Sequence, residues 1–208
     1  MKKNMQLSTR LAAVWCILGV AHGAHAQSAP SCTRLALALV IDRSGSMTGQ
    51  PIDNAKAAAA ATVDKLTTSD CVTVIAFDAR PTTIVPLHAL NDAAAVKTAI
   101  ATIQAAGGTE ILSALDAASK ALHAATSAQK KHVILLTDGQ SPTAGMQQLA
   151  QAMSTSHTTI TTVGLGSGVD EQTLRMLSNT GNGRYYHVGD VTALTRVFTR
   201  EVEVTLGP

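Results

Sequence analysis

Residues 35–47 read LALALVIDRSGSM. Seven apolar residues, Leu35 to Ile41, run without a break into Asp42, Arg43, Ser44, Gly45 and Ser46. An unbroken apolar run of this length is the pattern of a strand covered on both faces, as in a parallel sheet; a half-exposed strand alternates instead. Its abrupt end puts a carboxylate and two hydroxyls, spaced by one residue each, at the carboxyl end of a buried strand. In layered α/β proteins that edge is where ligands bind. Function then turns on which other segments reach the same edge.

Outward from this stretch, strand-length apolar runs alternate with helical patterns. Pro51 suits the first turn of a helix that carries Ile52, Ala55, Ala59, Val63 and Leu66 inward. Val72–Phe77 reads as a strand, and Thr82–Leu87 as a short one suited to a sheet edge by Pro81 and Pro86. Asn91-Asp92 opens a helix that ends at Gly107-Gly108. A third helix carries Ile111, Leu115, Ala118 and Leu122, followed by the buried strand His132–Thr137 and then Asp138-Gly139. Met146, Leu149, Ala150 and Met153 mark a fourth helix, Thr159–Leu165 a strand, Leu174 and Leu177 a fifth helix. Tyr185–Val188 forms a last strand, and a closing helix begins at Asp190. The expected fold is α/β: a doubly wound, mostly parallel sheet with one short antiparallel edge strand and helices on both faces, spanning residues 34–206.

Residues 1–26 read as a signal peptide: Lys2, Lys3 and Arg10, then the apolar run Leu11–Val20, then Ala24-His25-Ala26. The apolar run is about 10 residues against the roughly 20 that span a bilayer, so cleavage and export to the periplasm or medium are expected, with an uncleaved membrane anchor as the alternative. Residues 27–33 are a short polar lead-in. Cleavage removes three of the 16 basic residues and none of the 14 acidic, leaving a net charge near −1. The basic balance of the precursor therefore predicts no nucleic-acid-seeking surface, and one Trp, two Tyr and two Phe offer little for base stacking. Cys32 and Cys71 remain as an even pair. In an oxidising compartment they are a candidate disulfide, against the reading of two unpaired core residues.

If the first strand and His132–Thr137 are neighbours, Asp42, Ser44, Ser46, Asp138 and the Gly107-Gly108-Thr109 loop meet at one edge. All offer oxygen, with neither Cys nor His required, and such a set selects a hard cation over zinc or copper. Mg²⁺ is the first choice, with Mn²⁺ and Ca²⁺ as alternatives.

D-R-S-G-S-M at 42–47, G-G-T at 107–109 and L-L-T-D-G at 135–139 together resemble the von Willebrand factor type A domain with a complete metal-ion-dependent adhesion site. G-N-G-R-Y-Y-H-V-x-D at 181–190 is similar to bacterial secreted or membrane members of that family. The resemblance implies that Ser44, Ser46 and Thr109 supply hydroxyl ligands, while Asp42 and Asp138 bind directly or through water. Neutral hydroxyls leave the ion much of its charge, and an open position accepts an exposed Asp or Glu of a partner protein. The implied function is an exported binding module, monomeric when free, with no membrane span after cleavage and no catalytic machinery. A subunit of an ATPase or chelatase-like assembly is the first alternative, and a metal-dependent hydrolase the second.

Weaker features have plainer readings. Gly164-x-Gly166-x-Gly168 departs from dinucleotide-loop spacing and reads as a tight turn. No G-x-S-x-G elbow exists. His132 and His187 read as structural, Arg43 and Glu110 as residues bordering the site, and Lys130-Lys131 as a solvated loop.

Overall fold

The computed structural model describes residues 32–207. The expected signal peptide, residues 1–26, lies outside the described residues, as do residues 27–31 of the lead-in. Among the described residues no helix is long and apolar enough to cross a membrane.

Among the described residues six strands and six α-helices follow in the order β1 (Leu35–Asp42), α1 (Gln50–Val63), β2 (Cys71–Phe77), β3 (Pro81–Ala89), α2 (Ala93–Ala101), α3 (Ile111–His123), β4 (Lys130–Thr137), α4 (Met146–Thr155), β5 (Thr158–Leu165), α5 (Glu171–Thr180), β6 (Asn182–Val188) and α6 (Leu194–Leu206). The sheet order is β3-β2-β1-β4-β5-β6, with every pairing parallel except β2 with β3. The chain works outward from β1 to β2 and β3, then crosses back by way of α3 to β4 on the other side. The order therefore reverses between β1 and β4.

β1 is buried along its full length, and its pleat divides the core in two. Leu35, Leu37, Leu39 and Ile41 pack with Ile52, Val96, Ile100 and Phe198 of α1, α2 and α6. Ala36, Ala38 and Val40 pack with Ile111, Leu115, Met146 and Leu174 of α3, α4 and α5. The small side chains on the second face admit α3 closely. Each buried Leu, Ile or Val contributes about 1.5–3 kcal/mol, so the run that decides the fold also supplies its central anchor.

Five boundaries differ from the sequence reading. α2 stops at Ala101, with Thr102 as its C-cap, and not at Gly107-Gly108, so the glycine loop follows an irregular segment and not the helix itself. β3 is nine residues long rather than short; irregularities in its pairing with β2 absorb the misfit, and the Thr73 hydroxyl donates to the Val85 carbonyl at 2.8 Å. β4 starts at Lys130, so Lys130 and Lys131 are strand residues and not a loop: their register runs opposite Leu35 and Ala36 of β1. β6 starts at Asn182 rather than Tyr185, because Gly183 lets the backbones close; a Cβ there would stand 2.1 Å from the Ile160 carbonyl oxygen. Asp190 caps a single tight turn, Val191–Ala193, and the closing helix proper starts at Leu194.

Cys32 and Cys71 are joined by a disulfide, with Cα atoms 5.3 Å apart, at the amino-terminal edge of the sheet. α6 is pinned by the fully buried Glu201. Its carboxylate accepts from Thr161 Oγ1 (2.8 Å), Tyr186 Oη (2.8 Å) and an Arg184 guanidinium nitrogen (3.0 Å). His132 Nε2 lies 3.2 Å from Glu201 Oε1, close enough for charge attraction but poorly aligned for a hydrogen bond.

Candidate metal centre

Three parallel strands deliver the site. β1 ends at Asp42, β2 at Phe77 with Asp78 following, and β4 at Thr137 with Asp138 following. Asp42 is in register with Phe77, and Ile41 with Leu136. The residues leaving these strands thus emerge side by side at the point where the strand order reverses, the crevice that α/β sheets use for ligands.

Asp42 is fully buried. One carboxylate oxygen accepts the Ser44 amide at 2.7 Å, and the other accepts the Thr137 hydroxyl at 2.5 Å. The Ser44 amide bond folds the chain back immediately after the strand. Ser44 Oγ then lies 3.1 Å from Ser46 Oγ, and Ser46 Oγ donates to Asp138 Oδ1 at 2.8 Å. Four of the five expected site residues therefore form one connected polar chain, although Asp138 is 92 positions from Ser46.

The glycine loop is laced to this turn by backbone. The Gly45 amide donates to the Gly107 carbonyl at 3.0 Å, and the Ala106 amide to the Arg43 carbonyl at 2.6 Å. Gly107 has φ +79°, and a Cβ there would press on Asp78 Cβ at 3.0 Å, so both conformation and space call for glycine. Thr109, the fifth residue, reaches the same place: a Cβ on Gly139 would lie 3.2 Å from Thr109 Oγ1. The Thr109 hydroxyl makes no hydrogen bond among the described residues.

Several features were not assigned from the sequence. Thr137, inside the quoted L-L-T-D-G, orients Asp42 and also accepts the Gly139 amide at 3.2 Å. Asp78 pairs with Arg43 (2.6 Å) and accepts the Glu110 amide on its carbonyl at 2.8 Å, tying the third strand end to the other two. Its signal was available, since it follows the apolar run of β2 as Asp42 follows that of β1. Arg43 borders the site as expected, though it is paired with Asp78 and its Nε is buried without a hydrogen-bond partner. Glu110 is a helix cap: its carboxylate accepts the Leu112 and Ser113 amides at the start of α3. His187 sits by Glu171 and Tyr185 on the α5–β6 surface, and His132 at the opposite end of the sheet.

Electrostatically the site is short of positive charge. Burial pushes the Asp42 carboxyl above the ordinary carboxylate range; hydrogen bonds from Thr137 and Ser44 oppose that rise, and the neighbouring charge of Asp138 adds to it. Arg43 is already engaged by Asp78. Among the described residues no group of three or more His, Cys, Asp or Glu is placed to hold a metal, so a cation here must draw on hydroxyl oxygens as well as carboxylates. Two carboxylates and three hydroxyls suit a hard divalent ion.

Residues 36–200 match the von Willebrand factor type A domain, and the chain belongs to that family. An uncharacterized protein of Synechocystis sp. is 29% identical over 167 residues, covering 79% of this chain and 40% of that protein. A von Willebrand factor type A structure from Catenulispora acidiphila superposes with a TM-score of 0.76 at 26% identity, over 84% of this chain and 43% of that one. Proximal thread matrix protein 1 from the mussel byssus, solved with a zinc-occupied MIDAS motif, shares the fold with a TM-score of 0.69 at 20% identity, over 86% of this chain and 47% of that one. The chain thus spans less than half the length of these relatives.

Proposed function

We propose that this chain is an exported protein-binding module that captures an acidic group of a partner protein through a divalent cation, held by Asp42, Ser44, Ser46, Thr109 and Asp138. The observation that carries the proposal is the meeting of three separate segments around one buried carboxylate, with hydroxyls supplying most of the donors. Within this reading each residue has a distinct task. Asp42 supplies fixed negative charge that burial makes costly without a counter-ion. Ser44 and Ser46 supply neutral oxygens on a turn locked by the Asp42–Ser44 bond. Asp138 closes the ring from β4, and Thr109 approaches across Gly139. The bound ion supplies a charge that hydroxyls do not quench, which an incoming carboxylate then satisfies. Asp78 and Arg43 hold the loops in place and contribute no net charge to the rim.

Mg²⁺ is the proposed ion, with Mn²⁺ or Ca²⁺ compatible with the same oxygens. The proposed partner is a protein with an exposed Asp or Glu and not a nucleic acid, and the free module is proposed to be a monomer without enzymatic activity. Calorimetric titration of the purified chain with MgCl₂, MnCl₂ and CaCl₂ tests the site. One ion per chain is expected, with uptake lost in Ser46→Ala and Asp138→Ala variants that keep the wild-type circular dichroism spectrum. An immobilised Glu-containing peptide should then retain the protein in Mg²⁺ and release it in chelator. Absence of uptake of all three ions would sink the proposal.

A further inference from the structure

One charged side chain at the metal edge has no part in the site described above. β2 and β3 meet at the pair Phe77–Pro81, and the turn between them is only Asp78, Ala79 and Arg80. Phe77 is also in register with Asp42 of β1. The turn therefore stands beside the metal centre at the same level of the sheet. Its midpoint, one and a half strand spacings from β1, is about 7 Å away across the strand ends.

Arg80 is fixed at its root and free at its tip. Its amide donates to Asp78 Oδ1 at 3.0 Å, and its carbonyl accepts the Asp78 amide at 3.3 Å. The other Asp78 oxygen is taken by Arg43 at 2.6 Å, so the carboxylate next to Arg80 is engaged at both oxygens. Arg80 is exposed, and its guanidinium makes no ion pair, hydrogen bond or ring contact among the described residues.

The other charges around the site are answered within the protein. Arg43 pairs with Asp78, Asp53 with Lys56, and the Glu110 carboxylate accepts the first amides of α3. Asp42 and Asp138 together balance one divalent ion. Arg80 is left as the cation of this edge that no protein group meets. On the far side of the centre the β4–α4 loop offers Gln140, Ser141 and Thr143, which carry no charge. The edge is therefore polar and neutral on one flank and positive on the other.

We infer that Arg80 receives a second acidic side chain of the partner, so that the module selects acidic-x-acidic segments over an isolated Asp or Glu. The inference rests on the metal-dependent reading above and specifies its partner. In an extended segment, side chains two residues apart leave the same face and lie about 7 Å from each other. That matches the offset between the end of β1 and the β2–β3 turn. A partner segment crossing the strand ends sets one carboxylate on the ion and the next over Arg80. The guanidinium suits this task, because its parallel N–H groups meet both oxygens of a carboxylate.

Labelled peptides test it by fluorescence anisotropy in Mg²⁺: Gly-Ser-Gly-Glu-Gly-Ser-Gly, and the same peptide with Glu in place of either Ser. At least one Glu-Gly-Glu peptide should bind the wild-type chain about three- to fivefold more tightly than the single-Glu peptide, the scale of an exposed ion pair. In Arg80→Gln only the statistical advantage of a second carboxylate should remain, and Arg80→Lys should keep part of the gain. High salt should erase the gain by screening. Arg80 holds no metal, so calorimetric Mg²⁺ uptake should be unchanged in both variants. No preference in wild type, or the same preference in Arg80→Gln, overturns the inference and leaves the metal-dependent reading standing. A single-Glu peptide that binds equally in Mg²⁺ and in chelator, or in neither, removes that reading and this inference with it.

Discussion

Replacing Glu201 by Gln removes one charge from the middle of the protein and leaves its shape intact. Glu201 has no exposed surface and is met by Thr161, Arg184, Tyr186 and His132 from β4, β5 and β6. Burial alone pushes its carboxyl up. Contact with His132, the charge on that ring and the hydroxyls of Thr161 and Tyr186 outweigh burial and hold it down at about 2, against an ordinary 4.5. Since the folded value lies below the unfolded one, the ionised carboxylate stabilises the fold above pH 4.5, and that contribution fades as pH falls towards 2. At about 1.4 kcal/mol per pH unit the difference amounts to roughly 3 kcal/mol at neutral pH. Gln stands in for the protonated acid, so Glu201→Gln should lose about that much, or roughly 10 °C in Tm for a domain of this size. Urea titrations of both proteins at intervals from pH 7 to pH 2.5 provide the measurement. The gap between them should be open at pH 5.5 and close below 4.5. A gap under about 1 kcal/mol at pH 7, or one that does not narrow on acidification, would refute the reasoning.

Two further perturbations test other parts of the structure. Gly107→Ala places a Cβ at φ +79° and 3.0 Å from Asp78 Cβ, which should cost about 1–2 kcal/mol and weaken Mg²⁺ uptake by shifting the loop that carries Thr109. Gly108→Ala, where a Cβ meets nothing within 4 Å, should do neither, and equal behaviour of the two variants in thermal melts and calorimetry would count against the loop's role. The Cys32–Cys71 bond closes a span of 39 residues, for which chain entropy predicts about 4 kcal/mol. Dithiothreitol should lower the wild-type urea midpoint accordingly and leave a double Cys→Ala variant unmoved; a midpoint indifferent to reductant would show that the bond contributes nothing.

Most of the fold was legible because its strongest signals are local. The apolar run Leu35–Ile41 has the composition of a strand covered on both faces, and the Ala- and Leu-rich segments have helical spacing, so burial and periodicity agree without tertiary information. What escaped were features set by neighbours. Lys130 and Lys131 look like a solvated loop until β1 is laid beside them and supplies hydrogen-bond partners. β6 begins three residues early because Gly183 permits a backbone contact that only the folded sheet reveals. At the site, Asp42, Ser44, Ser46 and Asp138 were readable as strand-end oxygens in fixed order. Thr137 was hidden by its ordinary β-branched character, whereas Asp78 was readable as a strand-end carboxylate like Asp42 and was passed over because no motif surrounds it. Glu110 misled in the other direction: a carboxylate three residues before the Ser113 amide is as good a helix cap as a rim charge, and the geometry makes it the cap.

Lys130 connects two observations about where the polypeptide enters and leaves. Its amide donates to the Arg34 carbonyl, and its ammonium reaches the carbonyls of Thr205 and Leu206, so the first and last described segments lie within one side chain of each other. Both sit at the pole remote from Asp42. A tether, tag or solid support attached before residue 32 or after residue 207 therefore leaves the Asp42 pole facing outward. Traction applied between the two attachment points would load the Cys32–Cys71 staple and the α6 anchorage first, and reach the Asp42 edge only after those had yielded.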